Sequence, residues 1–193
     1  MVSQIKVNEI IKQSGSSITI GESGDTVTIP SGATLNSAGT NTLTGIDNAP
    51  AWHAFLSSSQ DVSNNTTTVI VFNHEALDTN SGYDTSTGRF TVPSGGAGKY
   101  VIYSQLMRNN FLNSRYLARI RVNGSDVSAS EQKNTDTGGT NFQTVNVQSI
   151  QTLAVGDYVD ITLYQDSGSS AGAYGTNTTS GKSIFMGYKL IGI

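Results

Sequence analysis

Short runs of alternating apolar and polar residues extend from about residue 50 to the end of the chain. Valine, isoleucine, threonine and aromatic residues dominate these runs, which favours β-strands. Clusters of Asn, Asp, Gly, Ser and Pro separate the runs and favour turns. Residues 69–106 contain three such runs in succession, and no segment has the periodicity of an amphipathic helix. The pattern predicts an all-β domain of antiparallel strands joined by turns.

The alternation also predicts how individual strands are buried. Residues 116–122 place apolar side chains on one face and arginines on the other, as in a strand with one solvent-exposed face. Asn123-Gly124 follows directly and predicts a tight hairpin turn, because both residue types tolerate positive φ. Residues 183–193 are apolar on both faces, so this strand is predicted to lie at the centre of a sheet.

Residues 142–153 predict a strand with a local irregularity. Val145 and Val147 have the spacing of one strand face, whereas Ile150 lies an odd number of residues farther along. We predict that all three side chains turn inward and that a β-bulge near Gln148 shifts the alternation.

The residues before the all-β domain contain a weak repeat. Apolar triplets at residues 18–20, 27–29 and 33–35 are separated by turns at Gly24 and Gly32. Such short strands cannot form a core within one chain, but three chains wound about one axis can bury them against each other. The alternative is a loosely ordered β-meander. We predict a docking arm at residues 1–15, a β-repeat stem and linker at residues 16–49, and a head at residues 50–193.

Composition limits the function classes. The net charge of −3 and the lack of clustered basic residues argue against nucleic-acid binding. The chain has no cysteine, which excludes disulfides and thiolate metal sites. It has no apolar run of about 18 residues, so membrane insertion is not expected. The two histidines, His53 and His74, are too few to hold a metal, and we predict no metal and no cofactor.

Several motifs of the head resemble those of the globular head of complement C1q, which shares its fold with the tumour-necrosis-factor family. They are Tyr83-Asp84, Thr87-Gly88-Arg89-Phe90, Ala97-Gly98-Lys99-Tyr100, Val122-Asn123-Gly124, Gly156-Asp157 and the closing run at residues 183–190. The motifs occur in the family's order and cover about residues 50–193. The resemblance implies a ten-strand antiparallel jelly-roll sandwich that assembles as a homotrimer.

The N-terminal repeat is similar to the leading segments of structural and tail-fibre proteins of bacteriophages. Together the two resemblances imply a non-enzymatic virion surface protein, a fibre or decoration that binds other virion proteins through its N-terminal arm. Its expected role is adsorption to a glycan or protein of the host surface. Two alternatives stay open. One is a capsid decoration without a receptor role, and the other is a bacterial surface or exosporium adhesin, which would normally carry a collagen-like stalk or a secretion signal.

Two fragments of enzyme motifs occur in the head without their required context. Residues 168–172, centred on Ser170, match the nucleophile elbow of hydrolases, but that motif needs a strand before it and a helix after it. Gly181-Lys182-Ser183 resembles the end of a phosphate-binding loop, but the preceding glycine is misplaced and no helix pattern follows. A glycan hydrolase would need paired carboxylates in a cleft, and none can be placed. We predict no catalytic residues.

Two polar segments, residues 130–141 and 167–182, are predicted to be long loops. Because successive strands of a jelly roll reverse direction, we expect both loops at one end of the sandwich and the turn at residues 153–157 at the other. The stem enters near the base, so the long loops form the tip, and loops on a rigid sandwich often carry binding residues. The candidate binding residues are Asn134, Asp136, Tyr174 and Asn177. Their amides, carboxylate and ring can contact a sugar, or they only keep the tip soluble.

Overall fold

A computed structural model describes residues 10–11, 15, 17, 19–34, 48–108, 114–134, 142–176 and 182–191 of the chain. The chain divides into two compact units, residues 1–42 and residues 43–193. All strands of the described residues belong to the second unit.

In the first unit, residues 19–34 form no strand. Two turns shape this segment: the Asp25 amide donates to the Glu22 carbonyl, and the Ala33 amide donates to the Pro30 carbonyl, each at 3.0 Å. Every residue of the segment is exposed, including the apolar side chains of Ile20, Val27 and Ile29. The described residues of the triplets thus form no strand within one chain, where they have no neighbouring strand to pair with, and the three-chain stem stays a prediction.

The second unit contains thirteen β-strands in its described residues. They are β1 (Ala51–Phe55), β2 (Gln60–Val62), β3 (Thr66–Val69), β4 (His74–Asp78), β5 (Tyr83–Asp84), β6 (Arg89–Thr91), β7 (Gly98–Arg108), β8 (Ser114–Val122), β9 (Ser125–Asn134), β10 (Gln143–Leu153), β11 (Tyr158–Gln165), β12 (Ala171–Ala173) and β13 (Ile184–Lys189). No helix is present among the described residues.

The strands form two antiparallel sheets that pack as a jelly-roll sandwich. In the first sheet the order is β4-β1-β13-β7-β10, with β12 pairing at the end of β7 and β2 beyond it. In the second sheet the order is β5-β6-β11-β8-β9, with β3 beside the end of β11. The predicted all-β antiparallel jelly roll is confirmed. The strand number exceeds ten because short segments such as β2 and β5 form separate strands.

One hydrophobic core lies between the sheets, and an aromatic stack joins them. Trp52 of β1 lies parallel to Phe90 of β6 with ring centroids 3.7 Å apart, and Phe185 of β13 meets the indole edge-on at 5.4 Å. Gly187 of β13 lies opposite Trp52, and a Cβ at this position would lie 2.6 Å from Trp52 Cζ2. The stack therefore requires glycine at this position of β13.

The predicted hairpin turn and central strand are confirmed. Asn123 and Gly124 have positive φ values of 51° and 81° and connect β8 to β9. The Asn123 side chain also accepts a hydrogen bond from the Tyr158 amide at 3.0 Å, which ties this turn to the start of β11. β13 lies between β1 and β7, as expected for a strand that is apolar on both faces.

The predicted bulge in β10 is wrong. β10 pairs with β7 in continuous register from Gln143 to Leu153. The alternation is therefore unbroken, so Val147 is 3% exposed while Ile150 is 63% exposed. A long ladder fixes the face of every residue, and here it places an isoleucine on the outside.

The two predicted tip loops are shorter than expected. The segment from Ser130 to Asn134 belongs to β9, because it pairs with β8. Residues 171–173 form β12, which interrupts the second predicted loop. Both segments were predicted to be loops because their residues are polar or small. Each nevertheless pairs with a neighbouring strand and is therefore part of a sheet.

The two ends of the sandwich are arranged as predicted. Gln143, which begins β10, and Ala173, which ends β12, both lie opposite Arg108 at one end of β7. At the other end of the sandwich, the Gly156 amide donates to the Val92 carbonyl at 3.0 Å. Pro50 also lies at this second end, where its carbonyl accepts from the Lys189 amide at 3.0 Å. The head thus begins at its base, opposite the end that we call the tip.

Candidate interaction surfaces

The centre of the outer face of the first sheet is built from three cross-strand rows. The rows follow from the register of β10, β7, β13, β1 and β4 and contain alternate residues of each strand. They are Ile150-Val101-Tyr188-Ala51, Gln148-Tyr103-Met186-His53-Leu77 and Asn146-Gln105-Ile184-Phe55-His74, the last reached across a register shift between β1 and β4. We call this set of residues the neutral face, because at neutral pH none of them carries a formal charge.

Apolar side chains of the neutral face remain in contact with solvent in the single chain. Leu77 is 49% exposed and Ile150 is 63% exposed. A shallow depression of about 260 Å³ lies between β7 and β10 and is lined by Val101, Gln148, Ser149 and Ile150. A surface of this composition is favourable to bury against another protein.

Several polar groups of the neutral face already have hydrogen-bond partners. The Tyr103 hydroxyl lies 3.2 Å from Asn146 Oδ1 and 3.4 Å from Gln105 Oε1, within hydrogen-bonding distance of both. The side-chain amide of Gln105 also donates to the backbone carbonyl of Lys182 at 3.1 Å. Because these groups already have partners, a second molecule can cover them without leaving them unpaired.

His53 lies in the middle row of the neutral face. It is opposite Met186 on one side and Leu77 on the other. Burial lowers the pKa of the His53 imidazole from its ordinary value, so the neutral form is favoured. Its Nε2 atom is buried and has no hydrogen-bond partner among the described residues. The site therefore favours a neutral imidazole over a charged one.

The outer face of the second sheet has the opposite character. Asp160 of β11 is fully buried there beneath two arginines. Arg121 of β8 donates from Nε and Nη2 to the two carboxylate oxygens at 2.7 and 2.9 Å, and Arg89 of β6 donates from Nε at 3.2 Å. Arg89 also lies over the ring of Tyr158, 4.3 Å from its centroid. This cluster links three neighbouring strands through charge.

Further ion pairs cover the rest of this second face. Arg119 of β8 lies 3.2 Å from Asp126, and Arg115 lies 2.7 Å from Glu131. Hydrogen bonding to the Arg115 guanidinium lowers the pKa of the Glu131 carboxyl. Paired charges of this kind are typical of a face that stays in contact with solvent. Among its described residues, the neutral face of the first sheet carries no ion pair. The contrast between the two faces identifies the neutral face as the candidate contact surface.

The tip contains an aromatic pair, of which Tyr174 is half-buried and Phe142 is exposed. Tyr174 follows β12, and its ring centroid lies 5.1 Å from that of Phe142, which precedes β10 and is 52% exposed. The Tyr174 amide donates to the Met107 carbonyl at 2.7 Å, and the Ser183 hydroxyl donates to the Tyr174 carbonyl at 2.8 Å. The backbone that carries Tyr174 is therefore held against the end of the sandwich.

The other predicted tip residues are only partly described. Asn134 is the last residue of β9 and lies opposite Ser114. Asp136 and Asn177 lie outside the described residues. The structure thus brings Tyr174 together with Phe142, which the sequence did not single out, and leaves the predicted set of four untested. Adjacent aromatic residues on separate loops cannot be paired from sequence spacing alone.

The hydrolase-like fragment around Ser170 lies in an ordinary connection between two strands. Ser170 is exposed and lies between β11 and β12, so the residue is followed by a strand instead of the helix of a nucleophile elbow. Among the described residues, no cluster of three or more His, Cys, Asp or Glu side chains is placed to hold a metal ion. The described residues also contain no helix long and apolar enough to cross a membrane.

The family of this chain follows from its match to a protein-family model. The model of the C1q domain family matches residues 51–190. This chain belongs to the C1q domain family. The matched residues comprise the described strands of the second unit, from β1 to β13. A search of curated proteins found no match.

Solved structures show the same fold at low identity. The globular domain of zebrafish complement 1qA protein is 16% identical with a TM-score of 0.53, covering 73% of this chain and 97% of that one. Eiger TNF from S. frugiperda is 14% identical with a TM-score of 0.54, covering 74% and 93%. Murine APRIL at pH 5.0 is 13% identical with a TM-score of 0.52, covering 72% and 98%. The C1q fold of this chain is therefore shared with tumour-necrosis-factor-like proteins.

The sequence predicted only part of the neutral face. Residues 100–107 have apolar side chains at both inward and outward positions, which predicts a strand that is also used in a subunit contact. The missing information was the register, which places Tyr103, Met186 and His53 in one row although they are far apart in the chain. The signal that could have found the face is the uncharged outward set of β7 and β13, set against the arginines of β8.

Proposed function

We propose that this protein is a non-enzymatic virion structural protein of a bacteriophage, a homotrimeric fibre or decoration that displays a C1q-like head and mediates adsorption to the host surface. The neutral face is the observation that carries the proposal, because it supports self-association of the head. Membership of the C1q family supports the same assembly, since the head resembles domains that assemble as trimers. The resemblance of the N-terminal repeat to phage fibre proteins supports the virion location.

The occupant of the neutral face is a neighbouring copy of this chain. A closed threefold assembly covers the same surface on each protomer and leaves none exposed. The ion-paired outer face of the second sheet then stays in contact with solvent, where its charges are hydrated. The exposed side chains of Ile20, Val27 and Ile29 in the first unit are in keeping with a stem that is buried only between copies.

The tip is the proposed site of host contact. It lies opposite Pro50, so a head attached through its N-terminal side presents the tip outward. The half-buried Tyr174 and the exposed Phe142 offer an aromatic surface there, and Asn134, Asp136 and Asn177 complete the proposed binding set. Aromatic rings and amides suit a sugar-like ligand, and many copies on one particle make a weak site sufficient.

An adsorption competition assay tests the receptor role. Purified full-length chain is added to host cells before the particles, and free particles are counted. We expect the wild-type chain to reduce adsorption and the Tyr174→Ala chain to reduce it much less, while Ala129→Glu, a change on the outer face of the second sheet, has no effect. If no concentration of wild-type chain reduces adsorption, the protein is a decoration without a receptor role.

A further inference from the structure

His53 occupies the middle of the surface that the proposed assembly buries. Along its row it contacts neighbouring strands at Met186 and Leu77, and Tyr103 lies one strand beyond Met186. In the single chain its imidazole is already partly buried, and Nε2 has no hydrogen-bond partner among the described residues. Covering the face with another copy removes the remaining water from this ring.

No carboxylate of the adjacent strands faces the imidazole. On β13 the outward residues are Ile184, Met186 and Tyr188, which are uncharged at neutral pH. The other titratable groups near this side are the phenols of Tyr103 and Tyr188 and the imidazole of His74, whose ring packs against Phe55 with centroids 4.4 Å apart. A proton on His53 therefore has no neighbouring negative charge to compensate it.

The two acidic residues of β4 are directed elsewhere. Glu75 and Asp78 lie opposite Ala54 and Trp52, whose side chains point into the core. The Asp78 carboxylate accepts from the Tyr83 amide at 2.7 Å. The charge of Glu75 acts on Tyr83, where it contributes to the raised pKa of the phenol. Both carboxylates are thus on the far side of the sheet from the imidazole.

We propose that protonation of His53 controls the assembly of this protein: copies associate through the neutral face when the imidazole is neutral and separate when it is charged. This inference rests on the proposed self-association and adds its regulation. The physical reason is desolvation, because an isolated charge buried at an interface without a partner opposes association strongly. A closed trimer buries one imidazole from each chain, so the effect is repeated by symmetry.

The direction of the pH dependence follows from linkage. Burial lowers the pKa of His53 in the single chain, and the assembly buries the ring further, so the separated chains bind protons more tightly than the assembly. The assembly is therefore most stable above the pKa of His53 in the separated chain, which burial places below the ordinary histidine value of about 6.5, and it is lost as the pH falls through that lowered pKa. We expect the association constant to fall at least about tenfold for each pH unit in that range.

Native mass as a function of pH tests the proposal. The full-length chain is measured by light scattering after size exclusion from about pH 8 to about pH 5. Three chains are compared: wild type, His53→Gln and His74→Gln. His74 is the matched control because it is the only other histidine in the sequence and lies on the edge strand β4. We expect wild type and His74→Gln to dissociate in acid and His53→Gln to stay associated.

Circular dichroism at each pH distinguishes dissociation from acid unfolding. The strand signal must persist while the mass falls. If His53→Gln does not fold, His53→Met provides the same test, since methionine already fills the neighbouring position 186. The proposal is overturned if wild type keeps its mass down to about pH 5, if the His53 variants dissociate like wild type, or if the mass falls only with the strand signal. A wild-type chain that is monomeric at every pH instead overturns the proposed self-association itself.

Discussion

At the scale of single residues, the core depends on the space that β13 leaves for Trp52. Gly187 lies opposite the indole, and a Cβ there would also lie 2.7 Å from the Val101 carbonyl oxygen. Trp52 is the only tryptophan of the chain and is 1% exposed. It holds the two sheets together through its stack on Phe90. Its fluorescence therefore reports the packing of the whole sandwich.

The Gly187→Ala variant tests this packing. We expect it to lower the free energy of unfolding by about 3 kcal/mol, because the added methyl group has no free volume and must displace the indole or the backbone. Gly95→Ala is the control: it has open space but a φ of 76°, so only backbone strain of about 1 kcal/mol is expected. Urea denaturation at fixed protein concentration, followed by Trp52 fluorescence, measures both. Equal losses in the two variants would contradict the packing argument.

At the scale of the elements, the sequence predicted strand faces well wherever a strand alternates strictly. β8 is an example, because Tyr116, Ala118 and Ile120 are buried as the pattern indicates. The prediction failed in β10, where Ile150 was assigned to the core. Hydrophobicity alone favoured burial there, but the face of each residue is set by the ladder with β7, which pairs residues distant in sequence.

In the N-terminal segment and at the tip, too, the sequence did not predict which segments pair with each other. The triplets have the composition of strands, yet residues 19–34 pair with no strand in the described part of the chain. β12 has only small residues, and nothing in its sequence predicts the pairing with β2. The jelly roll itself was predictable because its motifs are local, whereas contacts between distant segments were not.

The charged cluster on the second sheet yields an element-scale prediction. Asp160 of β11 ties β6 and β8 together, so Asp160→Asn leaves two guanidinium groups without their buried partner. We expect a loss of about 2 kcal/mol in the free energy of unfolding, since the arginines are partly exposed and can be hydrated. Glu131→Gln breaks an exposed pair and should change stability very little. Equal effects on urea denaturation would show that the buried cluster has no special role.

At the scale of the whole molecule, the two outer faces of the sandwich differ in charge. One face is uncharged across three cross-strand rows, and the other carries paired arginines and carboxylates. The base leads to the N-terminal segment, and the tip carries the aromatic pair of Tyr174 and Phe142. The proposed assembly through the neutral face would leave the charged face in solvent.

The native mass of the full-length chain at neutral pH tests this account most directly. Light scattering after size exclusion should give about 61 kDa, which corresponds to three chains of 20.3 kDa. Met186→Glu, which places a charge in the middle row of the neutral face, should give a folded monomer, whereas Ala129→Glu on the opposite outer face should keep the trimer mass. A wild-type chain of about 20 kDa, or a Met186→Glu chain that stays trimeric, would contradict assembly through the neutral face.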